Sequence, residues 1–121
     1  MATITVTKDN FNELVSQHDF LVLDFWAAWC GPCVRFAPTF EAASGSEAND
    51  GIVFGKIDTE AEQELAASFQ IQSIPTLMII RDKAIVHSEP GALSPSQFDL
   101  LLQKARELDM DKLRAQAEES A

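Results

Sequence analysis

Apolar and polar positions come in blocks along this chain, and the period of the blocks changes repeatedly. Residues 4–7 form a short β-type segment, and Thr7 or Asp9 is placed to cap a helix over about residues 10–17. Residues 20–27, Phe-Leu-Val-Leu-Asp-Phe-Trp-Ala, are apolar on both parities, as expected of an interior strand covered on both faces. A helix is predicted to open at Cys30-Gly31-Pro32-Cys33, with Pro32 in a first turn that tolerates proline, and Pro38 further along should kink it. Residues 44–51 read as a helix end and loop, 52–58 as a second interior strand, and 59–68 as a third helix opened by acidic residues. Two strands, 76–80 and 84–87, flank the polar turn Arg81-Asp82-Lys83. Ser94 caps a last helix with Pro95 at its first position and a stripe of Phe98, Leu101, Leu102, Ala105 and Leu108.

The resulting order, β-α-β-α-β-α-β-β-α, predicts an α/β fold. Its alternating part implies a parallel sheet covered by helices, and the late strand pair adds an antiparallel edge. The architecture expected is a central mixed five-stranded sheet flanked by four helices. With no repeat, linker or low-complexity tract, residues 1–108 read as one domain. Residues 109–121 read as an acidic extension, helical or frayed, with a sparse Met110, Leu113, Ala117 stripe. The sharper reading of that extension is a helix that docks a partner.

Composition narrows the function classes. The chain has 121 residues, 46% of them hydrophobic, which is enough for one real core. A formal net charge of −10 argues against nucleic acid and against anionic membrane surfaces, and points to a soluble monomer. No basic segment followed by a long apolar stretch opens the sequence, so no signal peptide is expected. The nearly apolar run 20–30 is too short to span a bilayer and carries Asp24. The expected location is cytoplasmic, although a periplasmic mature form with its leader removed would have the same sequence character.

Only two cysteines are present, Cys30 and Cys33, which is too few for a disulfide scaffold. Three apart at a helix start, they share one face and can close a small-ring disulfide. The first lies where unpaired N–H groups and the positive end of the helix dipole favour a thiolate, which makes it the attacking sulfur. Cys33, one turn further in, should be less exposed and suits a resolving role. Half of a zinc site is the competing reading, but four ligands are needed, and His18 and His87 stand in unrelated elements. Two inert buried thiols are the other.

The segment Phe25-Trp26-Ala27-Ala28-Trp29-Cys30-Gly31-Pro32-Cys33 resembles the active-site segment of the thioredoxin family. Asp24, Pro38, Ile74-Pro75-Thr76 and Gly91-Ala92-Leu93-Ser94 extend the resemblance, in the family's order and spacing, from about residue 2 to residue 106. It implies the thioredoxin fold, dithiol–disulfide exchange with disulfide-containing protein substrates, and re-reduction by an NADPH-dependent flavoprotein thioredoxin reductase. It implies no metal or bound cofactor beyond the reversible Cys30–Cys33 disulfide.

Asp24 is the single ionisable group in the apolar run. Buried there, its carboxyl should have a raised pKa and could accept the Cys33 proton; the alternative is an edge position facing solvent. The family carries a buried aspartate at the matching position. Lys56, in Val-Phe-Gly-Lys-Ile-Asp, either approaches Asp24 and tunes it or packs its stem while its ammonium reaches water. The family has a lysine here, which implies the first. Ile74-Pro75 is a strand start or a cis turn by sequence; the resemblance implies a cis-proline beside the cysteines, with adjoining backbone that binds a substrate strand by β-augmentation. Trp26 reads as core or wall, and Trp29 as a partly exposed contact residue beside Gly31 and Pro32. Gly91, otherwise a plain turn glycine, matches a family position that lets a partner backbone approach. Glu60, Glu62 and Glu64 read as a solvated face; Met78 and Phe69 read as core.

Three departures from the family stand out. Val34 replaces a basic residue common after the second cysteine, although Arg35 follows. The hairpin turn Asp82-Lys83 lacks the usual glycine. Pro90 stiffens the segment before Gly91. Gly31-Pro32 resembles the reducing members of the family, so a protein-disulfide reductase is expected ahead of an oxidase or isomerase of the same fold, or a non-catalytic binding module.

Overall fold

Five strands form one mixed sheet in the order β1-β3-β2-β4-β5 in the computed structural model, which describes residues 2–120 and side chains through residue 118. The elements are β1 (Thr3–Thr5), α1 (Phe11–Gln17), β2 (Phe20–Trp26), α2 (Gly31–Ser44), β3 (Val53–Asp58), α3 (Gln63–Ser68), β4 (Thr76–Arg81), β5 (Ala84–Pro90), α4 (Pro95–Arg106) and α5 (Met110–Ser120). β1, β3 and β2 run parallel, and β4 and β5 are antiparallel to their neighbours. The expected α/β architecture with a mixed sheet is therefore the one observed, with α5 as a helix beyond the four anticipated.

β2 lies at the centre of the sheet, which explains its apolar residues on both parities. Leu21, Leu23 and Phe25 pack with Phe11, Leu14 and Leu65 on the α1/α3 side. Val22 packs on the other side with Phe36 and Phe40 of α2 and with Phe98 and Leu102 of α4. The rings of Phe36, Phe40, Phe54 and Phe98 form an aromatic cluster with centroids 5.3–6.4 Å apart, within the range of favourable ring contacts. Asp24 shares the parity of Val22 and Trp26, so β2 turns its carboxyl toward the layer containing α2. β3 carries Gly55 because a methyl there would meet Val6 Cγ2 at 2.5 Å and Leu23 Cδ2 at 3.0 Å.

Several boundaries differ from the sequence expectation, with identifiable causes. α3 starts at Gln63 rather than 59, because the Asp58 carboxylate accepts the N–H groups of Glu60 (2.9 Å) and Ala61 (3.4 Å) and folds that segment into a turn. Asn10, not Thr7 or Asp9, is the residue before α1; its Oδ1 accepts the Thr7 N–H at 2.7 Å. A 3₁₀ turn, Glu47–Asn49, occupies the loop expected after α2. β5 extends through Pro90, three residues further than anticipated. The β4–β5 turn needs no glycine: Asp82 (φ 50°) and Lys83 (φ 68°) both adopt left-handed backbone, as two-residue hairpin loops require. Ser94 caps α4 as expected and forms a reciprocal capping box with Gln97.

Met110 and Arg114 both tie α5 to the domain. Met110 is buried, and the Arg114 guanidinium donates to Asp82 at 2.9 Å in the hairpin turn. Arg81 Nη1 donates to the Ala105 carbonyl at 2.5 Å and joins the same end of β4 to α4. Among the described residues, no helix is long and apolar enough to cross a membrane.

Candidate active site

The end of β2 and the start of α2 bring the chemistry together. Cys30 is the N-cap of α2 in extended backbone (φ −84°, ψ 109°), Pro32 sits in the first turn, and Cys33 lies one turn in. The two cysteines are disulfide-bonded, with Cα atoms 5.2 Å apart. Cys30 Sγ accepts the backbone N–H of Cys33 at 3.2 Å. A sulfur in the N-cap position thus occupies the place where a serine or aspartate oxygen normally satisfies a free helix N–H. Any negative charge on it meets that N–H and the positive end of the helix dipole. The anticipated contrast in exposure is small: Cys30 is 4% exposed and Cys33 2%, because Ala27, Trp26 and Ile74 pack around both.

Three segments border the sulfurs. Trp29 projects outward, 71% exposed, and its indole Nε1–H donates to Glu60 Oε1 at 2.5 Å. The Ile74-Pro75 peptide is cis, and the Ile74 carbonyl oxygen lies 3.7 Å from Cys30 Sγ. A disulfide sulfur has no proton to donate, so this is a contact in the oxidised form. Pro75 is buried, and its carbonyl accepts the N–H of Gly91 at 2.8 Å. Gly91 has φ 109°, a conformation natural only to glycine. A cleft of about 420 Å³ opens between the turn from Trp29 to Pro32 and the loop from Ile71 to Ile74. A groove of similar volume, 430 Å³, between β5 and α4 lies away from the cysteines.

Asp24 is fully buried, and neither carboxylate oxygen has a hydrogen-bond partner among the described residues. Burial pushes its pKa from 3.8 up to about 7, and the nearby Lys56 charge partly offsets that rise. Lys56 stands directly opposite Asp24 in the parallel β2–β3 register. Its ammonium lies over the Trp26 ring, 4.6 Å from the centroid.

A family model described as thioredoxin matches residues 2–104. The chain belongs to the thioredoxin family. A Streptomyces coelicolor relative that carries the name thioredoxin 2 is 50% identical over 121 residues, which cover 99% of this chain and 89% of that protein. The solved structure of a thioredoxin from Halobacterium salinarum superposes with a TM-score of 0.79 at 26% identity, over 88% of this chain and 93% of the other. A Malassezia sympodialis thioredoxin gives a TM-score of 0.77 at 28% identity, over 86% and 93%. Like other thioredoxins, the protein is a thiol–disulfide oxidoreductase, and the exchanging pair is Cys30 and Cys33.

Within this thioredoxin domain Trp29, Cys30, Gly31, Pro32 and Ile74 line one cleft, Cys33 is bonded to Cys30 behind it, Pro75 follows Ile74 and accepts the Gly91 N–H, and Asp24 and Lys56 stand on neighbouring strands. Val34 is 55% exposed, and the Arg35 guanidinium folds back so that a β-carbon on Gly31 would meet Nη1 at 3.2 Å. A cation therefore lies over the cysteine turn although it sits one residue later than in many thioredoxins. Glu60 is the residue that sequence reasoning missed. It reads as part of a solvated acidic face, yet it holds the exposed indole of Trp29. Only its place in the loop leaving β3, at the same end of the sheet as the end of β2, could have suggested the pairing. Among the described residues, no group of three or more His, Cys, Asp or Glu side chains is placed to hold a metal ion.

Proposed function

We propose that the protein is a reductase of protein disulfides in which Cys30 attacks, Cys33 resolves and Asp24 handles the proton. The observation that carries this reading is the Cys30 sulfur set as the N-cap of α2, accepting the Cys33 N–H at 3.2 Å. In the reduced protein that donor and the helix dipole favour the Cys30 thiolate. The thiolate attacks one sulfur of a substrate disulfide, and the other substrate sulfur leaves as a thiolate. Cys33 then gives its proton to Asp24 and attacks the Cys30 sulfur. The second substrate sulfur leaves, so the substrate gains two electrons and Cys30–Cys33 becomes the disulfide. Apart from the proton that passes to Asp24, every bond made or broken is between sulfur atoms, and the cycle uses no metal or bound cofactor.

Trp29, Gly31, Pro32, Ile74, Pro75 and Gly91 form the substrate surface in this reading. The Ile74 carbonyl beside the sulfur offers an acceptor to an extended substrate segment. Lys56 acts through Asp24, holding its carboxyl lower than burial alone would. The partner that resets the disulfide is an NADPH-dependent thioredoxin reductase. Residues 1–108 form the working unit of a cytoplasmic monomer, and residues 109–121 are an extension outside the cycle.

The test is a turnover assay with a model protein disulfide and dithiothreitol as electron source. The wild-type protein is expected to accelerate reduction, and Cys30→Ser to lose activity by on the order of 10³-fold. Wild-type protein with no activity, or a Cys30→Ser variant that keeps it, contradicts the reading. A binding module would produce one of those two results.

A further inference from the structure

Lys56 does not pair with the carboxyl it faces. No ion pair within 4 Å joins it to Asp24, and both Asp24 oxygens are without hydrogen-bond partners among the described residues. Asp58, next on the same face of β3, is engaged at Oδ1 by the Glu60 and Ala61 N–H groups. What touches the ammonium is the Trp26 ring, a side chain that packs against the cluster of Ala27, Cys30 and Cys33. The Trp26 backbone is anchored too, its carbonyl accepting both the N–H (2.9 Å) and the hydroxyl (3.1 Å) of Thr59. The Lys56 backbone is fixed as well, since its carbonyl accepts the Val6 N–H at 2.9 Å.

We infer that Trp26 is a positioning residue for the proton-transfer step, its ring face holding the Lys56 ammonium beside Asp24 and apart from it. The inference rests on Asp24 being the proton acceptor for Cys33. A good acceptor at neutral pH needs intermediate basicity. With no cation nearby, the buried carboxyl stays protonated and can take nothing from Cys33. In a closed ion pair it becomes too weak a base. An ammonium held over an aromatic face gives the intermediate case, because the ring partly replaces its water without neutralising its charge.

The other charged or titratable groups around Asp24 do not supply this effect. α2 contributes the Cys30–Cys33 disulfide, which does not titrate, and β4 places Leu77 opposite Asp24. Asp58 is turned into its own loop. Without the Trp26 ring, the ammonium moves to water, because closing on a fully buried carboxylate would cost its hydration. Asp24 then titrates higher.

The experiment follows the carboxyl ¹³C resonance of Asp24 against pH in the oxidised full-length protein. It compares wild type with Trp26→Phe, Trp26→Leu, Lys56→Met and the double variant Trp26→Leu/Lys56→Met. Trp26→Leu is expected to raise the Asp24 pKa by about half a pH unit or more, and Trp26→Phe, with its weaker ring face, by less. Lys56→Met is expected to raise it too, and adding Trp26→Leu to Lys56→Met should change nothing further. An equal shift with and without Lys56, which would reflect burial alone, overturns the inference, as does an unmoved or lowered Asp24. Trp26→Phe carries the test if the leucine variant does not fold. The titration needs no turnover, so a failure of Asp24 as proton acceptor would show separately, in kinetics.

Discussion

Replacing Cys33 by serine is expected to leave the first exchange intact and stop the second, so that the protein accumulates in covalent linkage with its substrates. The Cys30 sulfur keeps its N-cap position, and the backbone N–H of residue 33 that it accepts does not depend on the side chain there. Attack on a substrate disulfide therefore proceeds, while the serine hydroxyl cannot displace the bound sulfur. Turnover should fall on the order of 10³-fold or more, and mass spectrometry should find the adduct on Cys30. Ile74 and Trp29 border this sulfur, so captured segments should protect both from solvent exchange or quenching. If Cys33→Ser turns over normally, or the adduct forms at another residue, Cys30 is not the attacking sulfur with Cys33 resolving behind it.

The second large effect belongs to Asp24. Its folded-state pKa of about 7 lies above the ordinary 3.8, so between those values the folded chain holds a proton that the unfolded chain releases. Stability is therefore unpenalised below about pH 4, declines as pH rises, and carries the full penalty above pH 7. Three pH units correspond to about 4 kcal/mol, less whatever relaxation the site allows. Asp24→Ala should accordingly stabilise the oxidised protein by up to a few kcal/mol at pH 8, reduced by a small cavity cost, and by much less at pH 5. Denaturant unfolding at the two pH values measures the difference. The same variant should slow release of substrate from the mixed disulfide by about 10²-fold at pH 7, where no side chain takes the Cys33 proton. A stability change that is equal at pH 5 and pH 8 would mean that Asp24 does not titrate as a buried acid.

The site was legible in the sequence where chemistry and local geometry coincide. A cysteine pair three apart at the junction of strand and helix, and one carboxyl inside an apolar run, point to their surroundings without any long-range contact. Asp24 is fully buried for the reason its neighbours suggest: β2 has a strand on each side and helices over both faces. What the sequence hid depends on contacts between distant segments. The Trp29–Glu60 hydrogen bond spans 31 positions and uses an acidic residue that the sequence does not distinguish from Glu62, which accepts the Lys8 N–H at 2.8 Å, or from exposed Glu64. The late start of α3 comes from one side chain, Asp58, capturing two backbone donors. The hairpin turn uses an Asp-Lys pair in left-handed backbone where glycine is usual, and Asp82 also accepts from Arg114 of α5. The near-equal shielding of Cys30 and Cys33 depends on Ile74, 44 positions from Cys30, which helical spacing alone does not reveal.

The most direct measurement is the rate at which the reduced protein is alkylated as a function of pH, with the modified residue identified by mass spectrometry. A Cys30 sulfur held by a helix N–H should react first, alone at limiting reagent, with an inflection well below the ordinary thiol value of about 8.5. An inflection at about 8.5 with both cysteines modified alike would contradict the account, because the start of α2 would then do nothing for the sulfur it caps.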